Sequence, residues 1–491
     1  MSSVGGDYAP LASTVIPSYG ATEPPGRDGG SDVAFLDAGD RPEIEKQLLR
    51  KLDRRVAFLV LVSIMNYLDR YNAAAARLRG LEEDLDMKGR QFNSLTSILY
   101  VGYVLMQTPS NMILSQIPKP SLYLALSVFG SGAFSISTGQ YIRFSGALAS
   151  RFCLGFCEAA FYPGSMFLLS KWYKPNELGW RVAIITSGST ISYAFGALIA
   201  SAVMEMMDGV FGFAGWRWLF LLEGVVTVIV AVLGVFIIPD FPSAPASWLT
   251  AQEHALARKR MEEEVLDTEA NDTTADKRLA GIVQALRDWR VWWLSIALGS
   301  VYASQSFSNF FPTLSATMGY TPTISLLLCA PPWLLGTAVS FVVTWHSDSS
   351  GERFWHIVFP LLIGIIGFVL AMSTMSTSVR YLSLFFMTQA TVSIELFMVW
   401  VSNSFSQSPD KRAVALAFIN AVAMCANIGA SYFWPTAWGP SYFKSYLLCV
   451  LASVVAIAMF WHYRSHLRGL NEAAEEVERV ENLPKGFRYL L

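Results

Sequence analysis

Charged residues are scarce in this chain of 491 residues. Asp, Glu, Lys and Arg together make up 15% of it, and apolar residues make up 53%, whereas soluble domains are typically about 25% charged. This composition excludes an ordinary soluble protein and predicts a membrane protein. The formal net charge of −2 also lacks the strong positive balance of nucleic-acid-binding proteins, so no nucleic-acid partner is expected.

Catalytic signatures are missing as well. The sequence has five His and contains no HExxH motif, nucleophile elbow or nucleotide-binding loop, so nothing in it predicts an enzyme. The five Cys all lie inside apolar runs, which excludes a framework of loop disulfides. No repeat typical of a channel filter is present. We therefore expect no cofactor and no metal site.

Long apolar segments, in contrast, are abundant. Twelve are long enough to cross a bilayer as helices, which takes about 20 residues. The predicted spans 1 to 12 are 56–76, 93–114, 121–139, 144–168, 181–204, 216–238, 290–313, 321–345, 355–373, 380–402, 412–434 and 442–463. Connections on the side of both termini hold roughly three times as many Lys and Arg as the others, which predicts cytoplasmic termini. The predicted fold class is an all-α polytopic membrane protein.

The longest connection divides the twelve spans into two sets of six. It covers residues 239–289 and contains a charged amphipathic pattern typical of surface helices. We predict two six-helix halves, 46–238 and 290–464, joined by this cytoplasmic linker. Residues 1–45, rich in Gly, Ser, Pro and Asp, are predicted to be a disordered cytoplasmic tail. Residues 465–491 are predicted to be a cytoplasmic C-terminal tail.

Four charged residues interrupt the apolar runs of spans 1 and 4. Asp69 and Arg70 lie in span 1, whereas Arg151 and Glu158 lie in span 4, seven residues apart and thus on nearly the same helical face. An ionised group inside a bilayer costs about 2.5 kcal/mol or more, so we expect a buried functional site. The alternative is that these pairs only hold the two helices together.

An arrangement of six plus six spans is a known transporter plan, in which two halves rock about a central site. Protonation of a buried carboxylate would release an arginine, and the arginine could then bind a substrate carboxylate in bidentate geometry. Proton and organic anion would bind together. The four charges therefore predict proton-coupled symport.

Several segments resemble the anion:cation symporter family of the major facilitator superfamily, and within it the fungal allantoate, nicotinate and pantothenate permeases. They are NYLDRYNAAAARLRGLEEDLDM, GYVLMQTPSNMIL, RFCLGFCEAAFYPGSMFLLSKWY, GWRWLFLLEG and PDFP in the first half, and HSDSSGERFWHI, WVSNSFSQSPDKRAVALAFINA and NIGASYFW in the second. The resemblance covers about residues 45–465. It implies the major facilitator fold and a carrier of small organic anions in the plasma membrane.

The resemblance also implies roles for the four charges. Asp69 and Glu158 correspond to proton-coupling groups, and Arg70 and Arg151 to groups that bind the substrate anion. One feature departs from the superfamily pattern: the connection between spans 2 and 3 contains Lys119 but no Asp, which puts a gate at this position in doubt.

The equivalent connection between spans 8 and 9 keeps the charged residues Asp348 and Arg353. We predict a gating role for them, with Asp348 capping a helix end and pairing with basic groups in one conformation. A solvated turn residue is the alternative for Asp348.

Uncharged polar residues inside the spans are further candidates for substrate binding. Those that share polar helix faces in spans 1, 7 and 11 are Asn66, Tyr302, Gln305, Asn309, Asn420 and Asn427. Each could instead bond one helix to another. Glu395 of span 10 is an unassigned intramembrane acid: a second proton site, a group that repels anions, or a protonated acid bonded to a neighbouring helix.

The function predicted is secondary active transport, by alternating access, of a small carboxylate such as a vitamin, ureide or sugar acid. The expected partners are this anion, protons and the lipid bilayer, and the protein is expected to be a monomer. Two alternatives stay open: an exporter of a pathway metabolite with the same fold, and a nutrient sensor that binds but does not transport.

Overall fold

The computed structural model describes residues 41–117, 119–269, 283–405, 409–481, 486 and 488–491, and the regular elements in these ranges are helices. Nine helices of this part of the chain are long and apolar enough to cross a membrane. They correspond to predicted spans 3 to 6 and 8 to 12 and cover Pro120–Gln140, Phe144–Trp172, Trp180–Met206, Gly215–Ile237, Pro322–Ser350, Phe354–Ser373, Thr377–Ser404, Val414–Phe433 and Phe443–Val480.

The other three predicted spans are helical too, although polar residues or breaks interrupt their apolar character. Span 1 is the helix Arg41–Ala76, and span 2 is Gln91–Gln116. Span 7 consists of Trp289–Ser304, a 3₁₀ segment over Gln305–Phe310 and the short helix Phe311–Ala316. All twelve predicted spans are therefore helical where the structure describes them, and the predicted all-α membrane architecture is confirmed.

Two helix ends differ from the predicted boundaries. The first helix begins at Arg41, so residues 41–45 belong to it rather than to a disordered tail; residues 1–40 lie outside the described ranges. The last helix, Phe443–Glu481, continues well past the predicted end of span 12. Both extensions are charged, because a helix that leaves the apolar layer no longer needs apolar residues. Hydropathy therefore does not mark where these helices end.

Spans 4 and 10 are interrupted at a similar point. Span 4 consists of Phe144–Glu158 and Phe161–Trp172, and span 10 of Thr377–Gln389 and Val392–Ser404. In each span two residues separate the helices, so the regular backbone hydrogen bonding is broken there. Such breaks leave backbone groups available to side chains of neighbouring helices.

Glycine allows spans 2 and 4 to approach each other closely. A Cβ atom at Gly155 would lie 2.0 Å from the carbonyl oxygen of Leu99, and one at Gly102 would lie 2.2 Å from that of Phe152. Only residues without a side chain fit at such positions. This contact fixes the rotation of span 4 about its axis, and the neighbouring charged side chains consequently reach span 1.

The two halves are joined by hydrogen bonds at the end of the molecule opposite the termini. Asn93 Nδ2 donates to the carbonyl oxygen of Ser431 at 2.7 Å, and Ser201 Oγ donates to that of Thr323 at 3.1 Å. At the end that carries the termini, no hydrogen bond or ion pair joins described residues of the two halves. The hydrogen bonds between described residues of the two halves therefore lie on the side opposite the termini.

Candidate functional site

Arg70 and Glu158 form a buried ion pair between spans 1 and 4. Arg70 Nε lies 2.6 Å from Glu158 Oε2, and the Glu158 side chain is fully buried, whereas 14% of the Arg70 side chain is exposed. The Arg70 guanidinium also lies 4.8 Å from the ring centre of Tyr103 and 5.2 Å from that of Tyr67, a geometry in which aromatic rings stabilise a cation. Arg70 is the member of the pair that a solute can reach.

Asp69 and Arg151 are adjacent, but their side chains do not pair directly. Arg151 Nη1 donates to the backbone carbonyl of Asp69 at 2.9 Å, and Ser135 Oγ donates to Asp69 Oδ1 at 2.6 Å. Arg151 Nε and Nη2 are buried without a hydrogen-bond partner. A buried charged donor without an acceptor is unfavourable. These two nitrogens therefore lack a protein acceptor in this conformation.

The structure thus brings together all four charged residues that the sequence analysis selected in spans 1 and 4. Oε1 of Glu158 and Oδ2 of Asp69 are likewise buried without a partner. Two cations and two carboxylates make the group formally neutral. In the described part of the chain, no group of three or more His, Cys, Asp and Glu side chains could hold a metal ion.

A second layer of polar side chains surrounds the charged group, and its members Asn72 and Ser135 were missed at the sequence level. Asn72, three residues after Asp69, donates through Nδ2 to Glu223 Oε2 of span 6. Glu223 Oε1 is buried without a partner, and Ser135 of span 3 holds Asp69. The sequence signal for these residues was weak, because a single polar residue in a span often only bonds one helix to another.

The predicted polar residues of spans 1 and 11 lie at or beside the interior. Asn66 is buried, and its side-chain oxygen has no partner. Tyr302 donates its hydroxyl to Asn420 Oδ1 at 3.1 Å, so these two predicted residues form one unit. Asn427 is buried, and its side-chain Nδ2 donates to the sulfur of Met424 at 3.5 Å.

Gln305 and Asn309 of span 7 make protein contacts in this conformation. Gln305 Nε2 donates to the Ala390 carbonyl at 2.7 Å, at the interruption of span 10. Asn309 Nδ2 donates to the hydroxyl of Tyr100, in the other half, at 3.0 Å. The first bond joins two helices and the second joins the halves, so substrate contact by either residue requires these bonds to change.

The predicted gate residues Asp348 and Arg353 form an ion pair of 2.7 Å at the connection of spans 8 and 9. The expectation that Asp348 caps a helix end is wrong, because it lies in the last turn of the helix Ala330–Ser350, whose C-cap is Gly351. A carboxylate there opposes the helix dipole, and the buried Arg353 offsets the charge.

The connection of spans 2 and 3 contains no Asp of its own, but an Asp from another part of the chain lies beside it. Asp240, just after span 6, accepts hydrogen bonds from Ser121 Oγ at 2.6 Å and from Ser121 N at 3.1 Å. Its backbone carbonyl accepts from Trp172 Nε1 at 2.8 Å. Asp240 therefore connects the terminus-side ends of spans 3, 4 and 6.

Glu395 of span 10 is half-buried and bonded to the neighbouring span 8. Ser340 Oγ donates to Glu395 Oε2 at 2.7 Å. The sequence analysis included such a bond among the alternatives for this acid. The bond engages one carboxylate oxygen only.

Comparisons with known proteins agree with this architecture. A family profile described as Major Facilitator Superfamily matches residues 59–433. An uncharacterized transporter of Schizosaccharomyces pombe is 32% identical over 423 residues, covering 84% of this chain and 81% of its own. The "Putative tartrate transporter" of Agrobacterium vitis is 31% identical, covering 79% of this chain and 84% of its own.

Solved structures show the same fold. A bacterial homolog of the human lysosomal transporter Spinster, inward-facing and occupied, superposes with a TM-score of 0.65 at 15% identity, covering 83% of this chain and 95% of its own. A D-xylose-proton symporter reaches a TM-score of 0.59 at 16% identity, covering 83% and 97%. Because the family match spans most of the helical region, the chain belongs to the Major Facilitator Superfamily and is an integral membrane transporter.

Proposed function

We propose that this protein is a proton-coupled symporter of a small organic anion and belongs to the anion:cation symporter branch of its superfamily. The observation that carries the proposal is the buried charged group of spans 1 and 4. In it, Glu158 neutralises Arg70, while two nitrogens of Arg151 lack acceptors. A site with one guanidinium paired to a carboxylate and one without a carboxylate partner is suited to bind a proton and an anion together.

The coupling follows from the geometry of the pair. When Glu158 takes up a proton, its attraction for Arg70 falls, because a neutral carboxyl group no longer balances the guanidinium. Arg70, which is partly exposed, then needs another anion. A substrate carboxylate can bind it in bidentate geometry and accept from Arg151 as well. Proton loss from Glu158 restores the ion pair and expels the substrate.

The second half of the cycle is a change of access to the site. The hydrogen bonds between the halves lie opposite the termini, which supports substrate exchange on the terminus side in this conformation. Rocking of the halves would reverse the arrangement. The relative from Agrobacterium vitis that is named for tartrate supports a small carboxylate as substrate. We further propose that the termini are cytoplasmic and that the protein works in the plasma membrane.

Uptake by purified protein in liposomes tests the proposal. Labelled tartrate, nicotinate, pantothenate and allantoate are offered at external pH 5 and 7.5, with and without a protonophore. Accumulation of one anion that increases in acid and collapses with the protonophore is the expected result. Counterflow without accumulation would replace symport by a facilitator or exporter, and binding without exchange would indicate a sensor.

Glu158→Gln is the decisive variant. We expect it to abolish proton-driven accumulation while counterflow of labelled substrate continues, because Gln cannot titrate but fits the same space. Glu83→Gln is the matched control, since Glu83 is an exposed glutamate on the closed side. Full accumulation by Glu158→Gln would show that the proton is carried elsewhere.

A further inference from the structure

A cavity of about 400 Å³ lies between the two halves, on the side of the molecule opposite the termini. One wall belongs to the first half and includes residues 87–90, between spans 1 and 2, together with Phe92 at the start of span 2. The other wall is formed by residues 435–438, between spans 11 and 12 of the second half. A volume of this size is sufficient for a small ligand. The cavity shares no lining residue with the charged group of spans 1 and 4.

The wall of the first half has a positive charge that no carboxylate compensates. Lys88 Nζ lies 3.2 Å from Asp86 Oδ2. Glu82, which also lines the cavity, has its Oε1 at 3.1 Å from Arg77 Nε. Arg90 lines the cavity as well, and its exposed guanidinium forms no ion pair or hydrogen bond with the described residues. Arg90 is therefore the cation that an anion in the cavity could neutralise.

A second guanidinium lies directly behind the same wall. The side chain of Arg77 is 5% exposed, and it contacts three residues that line the cavity. Besides its ion pair with Glu82, Arg77 Nη2 donates to Thr436 Oγ1 of the opposite wall at 2.8 Å, and the guanidinium lies 4.3 Å from the ring centre of Phe92. Arg77 Nη1 is buried without a hydrogen-bond partner. Arg77 thus adds positive potential to the cavity and joins its two walls.

The other surroundings of the cavity suit the organic part of an anion. Phe92 and Trp438 line it from opposite walls, and aromatic rings offer a large apolar contact area. Arg90 is also the N-cap of the helix Gln91–Gln116, which has no side-chain cap, so the positive end of a long helix dipole lies at the same place. A guanidinium can bind a carboxylate in bidentate geometry. The cavity therefore matches a carboxylate that carries an apolar or aromatic part.

We propose that this cavity is a second binding site, for a small organic carboxylate, and that Arg90 binds the carboxylate group. The walls belong to different halves, so rocking of the halves would separate them and take the site apart. An occupant therefore binds one conformation and stabilises it. In the predicted orientation the cavity faces the outside, so an abundant external carboxylate slows transport. This inference goes beyond the proposed function, because the site includes none of the proton-coupling groups.

Protection of an introduced cysteine tests binding. Ala437 lines the cavity and is exposed, so Ala437→Cys in the purified full-length protein should react with a water-soluble maleimide. The probes are nicotinate, benzoate and succinate. We expect at least one of them to slow the reaction about 10-fold at about ten times its Kd, as measured by mass spectrometry of the modified peptide. Ser376→Cys, which is exposed on the same side but does not line the cavity, should react at an unchanged rate.

Arg90→Gln, combined with Ala437→Cys, is the variant that should lose the protection. We expect about 2-fold protection or less at the same concentration, because an amide cannot form an ion pair with a carboxylate. Arg143→Gln is the matched control and should keep the full protection. Arg143 is likewise an exposed N-cap residue on this side, at the helix Phe144–Glu158, but it does not line the cavity. Both variants should melt at the same temperature as the parent without carboxylate, since neither arginine is buried.

Several results overturn the inference. The cavity is not a carboxylate site if no probe protects Ala437→Cys, or if the protection survives in Arg90→Gln. Equal protection by chloride or sulfate would show a general attraction of anions rather than a site for organic carboxylates. Protection that Arg151→Lys removes but Arg90→Gln leaves intact would come from a conformational change at the buried charged group.

Uptake by the protein in liposomes tests the effect on transport and separates this inference from the proposed function. We expect uptake to increase with external substrate and then to decline at high concentration, and Arg90→Gln to remove the decline. Protection without any decline would contradict the stabilising effect of the occupant. If protection depends on Arg90 but uptake is insensitive to a protonophore, symport is wrong and the second site stands. If uptake is proton-driven but protection is absent, symport stands and the second site is wrong.

Discussion

At the residue scale, the two arginines of the charged group are held differently. Arg70 has a carboxylate partner, whereas Arg151 is held by a backbone carbonyl and has two nitrogens without acceptors. A carbonyl oxygen carries only a partial charge, so it compensates a buried guanidinium less than a carboxylate does. An anion that enters the site is therefore expected to stabilise the charge of Arg151 more than that of Arg70.

Arg151→Lys tests this asymmetry. The charge is kept but the fork of donors is lost, so we expect the KM for the transported anion to increase about 10-fold or more. Proton dependence of uptake should persist, because Glu158 and Arg70 are unchanged. Arg143→Lys, at the exposed start of the same span, serves as the control. An unchanged KM in Arg151→Lys would assign Arg151 to helix packing.

At the scale of elements, Asp288 joins the terminus-side ends of spans 7 and 11. Its side chain accepts from the backbone N–H of Arg290 as an N-cap, and Lys411 Nζ lies 2.7 Å from its Oδ2. Burial raises the pKa of this carboxyl group, but the hydrogen bonds from Arg290 and Lys411 outweigh burial and hold the pKa at about 2. The ionised form is therefore favoured by folding.

This shift predicts how stability depends on pH. Because the folded pKa lies below the ordinary value of 3.8, the contribution of Asp288 is complete above about pH 4 and is lost as the pH falls toward about 2. Asp288→Asn keeps the N-cap and removes the charge. We expect it to lower the free energy of unfolding in detergent by about 1 to 2 kcal/mol at neutral pH.

Asp86→Asn is the control for this experiment, since Asp86 and Lys88 form an ion pair in which both side chains are exposed and such pairs contribute little. The difference between wild type and Asp288→Asn should shrink as the pH falls below about 4. A difference that stays constant with pH would mean that the ion pairs with Arg290 and Lys411 do not stabilise the fold.

At the scale of the whole molecule, ion pairs attach the linker helix to the first half. Arg260, on the helix Ala251–Glu269, is buried and pairs with Glu45 at 2.8 Å and Glu177 at 2.5 Å. These acids lie on spans 1 and 5. We therefore expect the linker helix to move with the first half when the halves rock.

The one-sided contact between the halves predicts a one-sided cross-link. Ser97 Oγ donates to the carbonyl oxygen of Ile428 at 3.0 Å, which joins spans 2 and 11 on the closed side. In a variant with Ser97→Cys and Ile428→Cys, we expect an oxidant to form a disulfide that stops transport, and a reductant to restore it. Mass spectrometry of digested protein identifies the bond.

A matched pair at the other ends of the same two spans provides the control. Lys119→Cys with Arg412→Cys lies on the terminus side, where described residues of the two halves make no hydrogen bonds. This pair should resist cross-linking in this conformation. If Lys119→Cys and Arg412→Cys link as readily as the first pair, the halves are not held open on the terminus side.

Particular residues show where sequence reasoning succeeded. The spacing of Arg151 and Glu158 placed both on one helical face, and the structure brings them to Asp69 and Arg70. The roles of these residues stay predictions. Ser135 and Asn72 were missed because their contribution depends on how spans 1, 3 and 6 are rotated, and glycines at the contacts decide that rotation.

Gln305 illustrates the alternative that a polar residue bonds one helix to another. It donates to Ala390 because the interruption of span 10 leaves that carbonyl available. Residues 388–393 contain no Gly or Pro, so the sequence has no helix-breaking residue that reveals the interruption. The contact between Asp240 and Ser121 could not be predicted either, since more than a hundred residues separate them in the sequence.

The sequence by itself determined the class of protein, the number of spans and the buried charges, because the cost of polar groups in a bilayer constrains composition directly. Only the tertiary structure decided which carboxylate neutralises which arginine, on which side hydrogen bonds join the halves, and that Glu395 bonds to Ser340 of span 8. Those features depend on helix rotation and on contacts between distant segments. The periodicity of one segment contains no information about helix rotation or about contacts with distant segments.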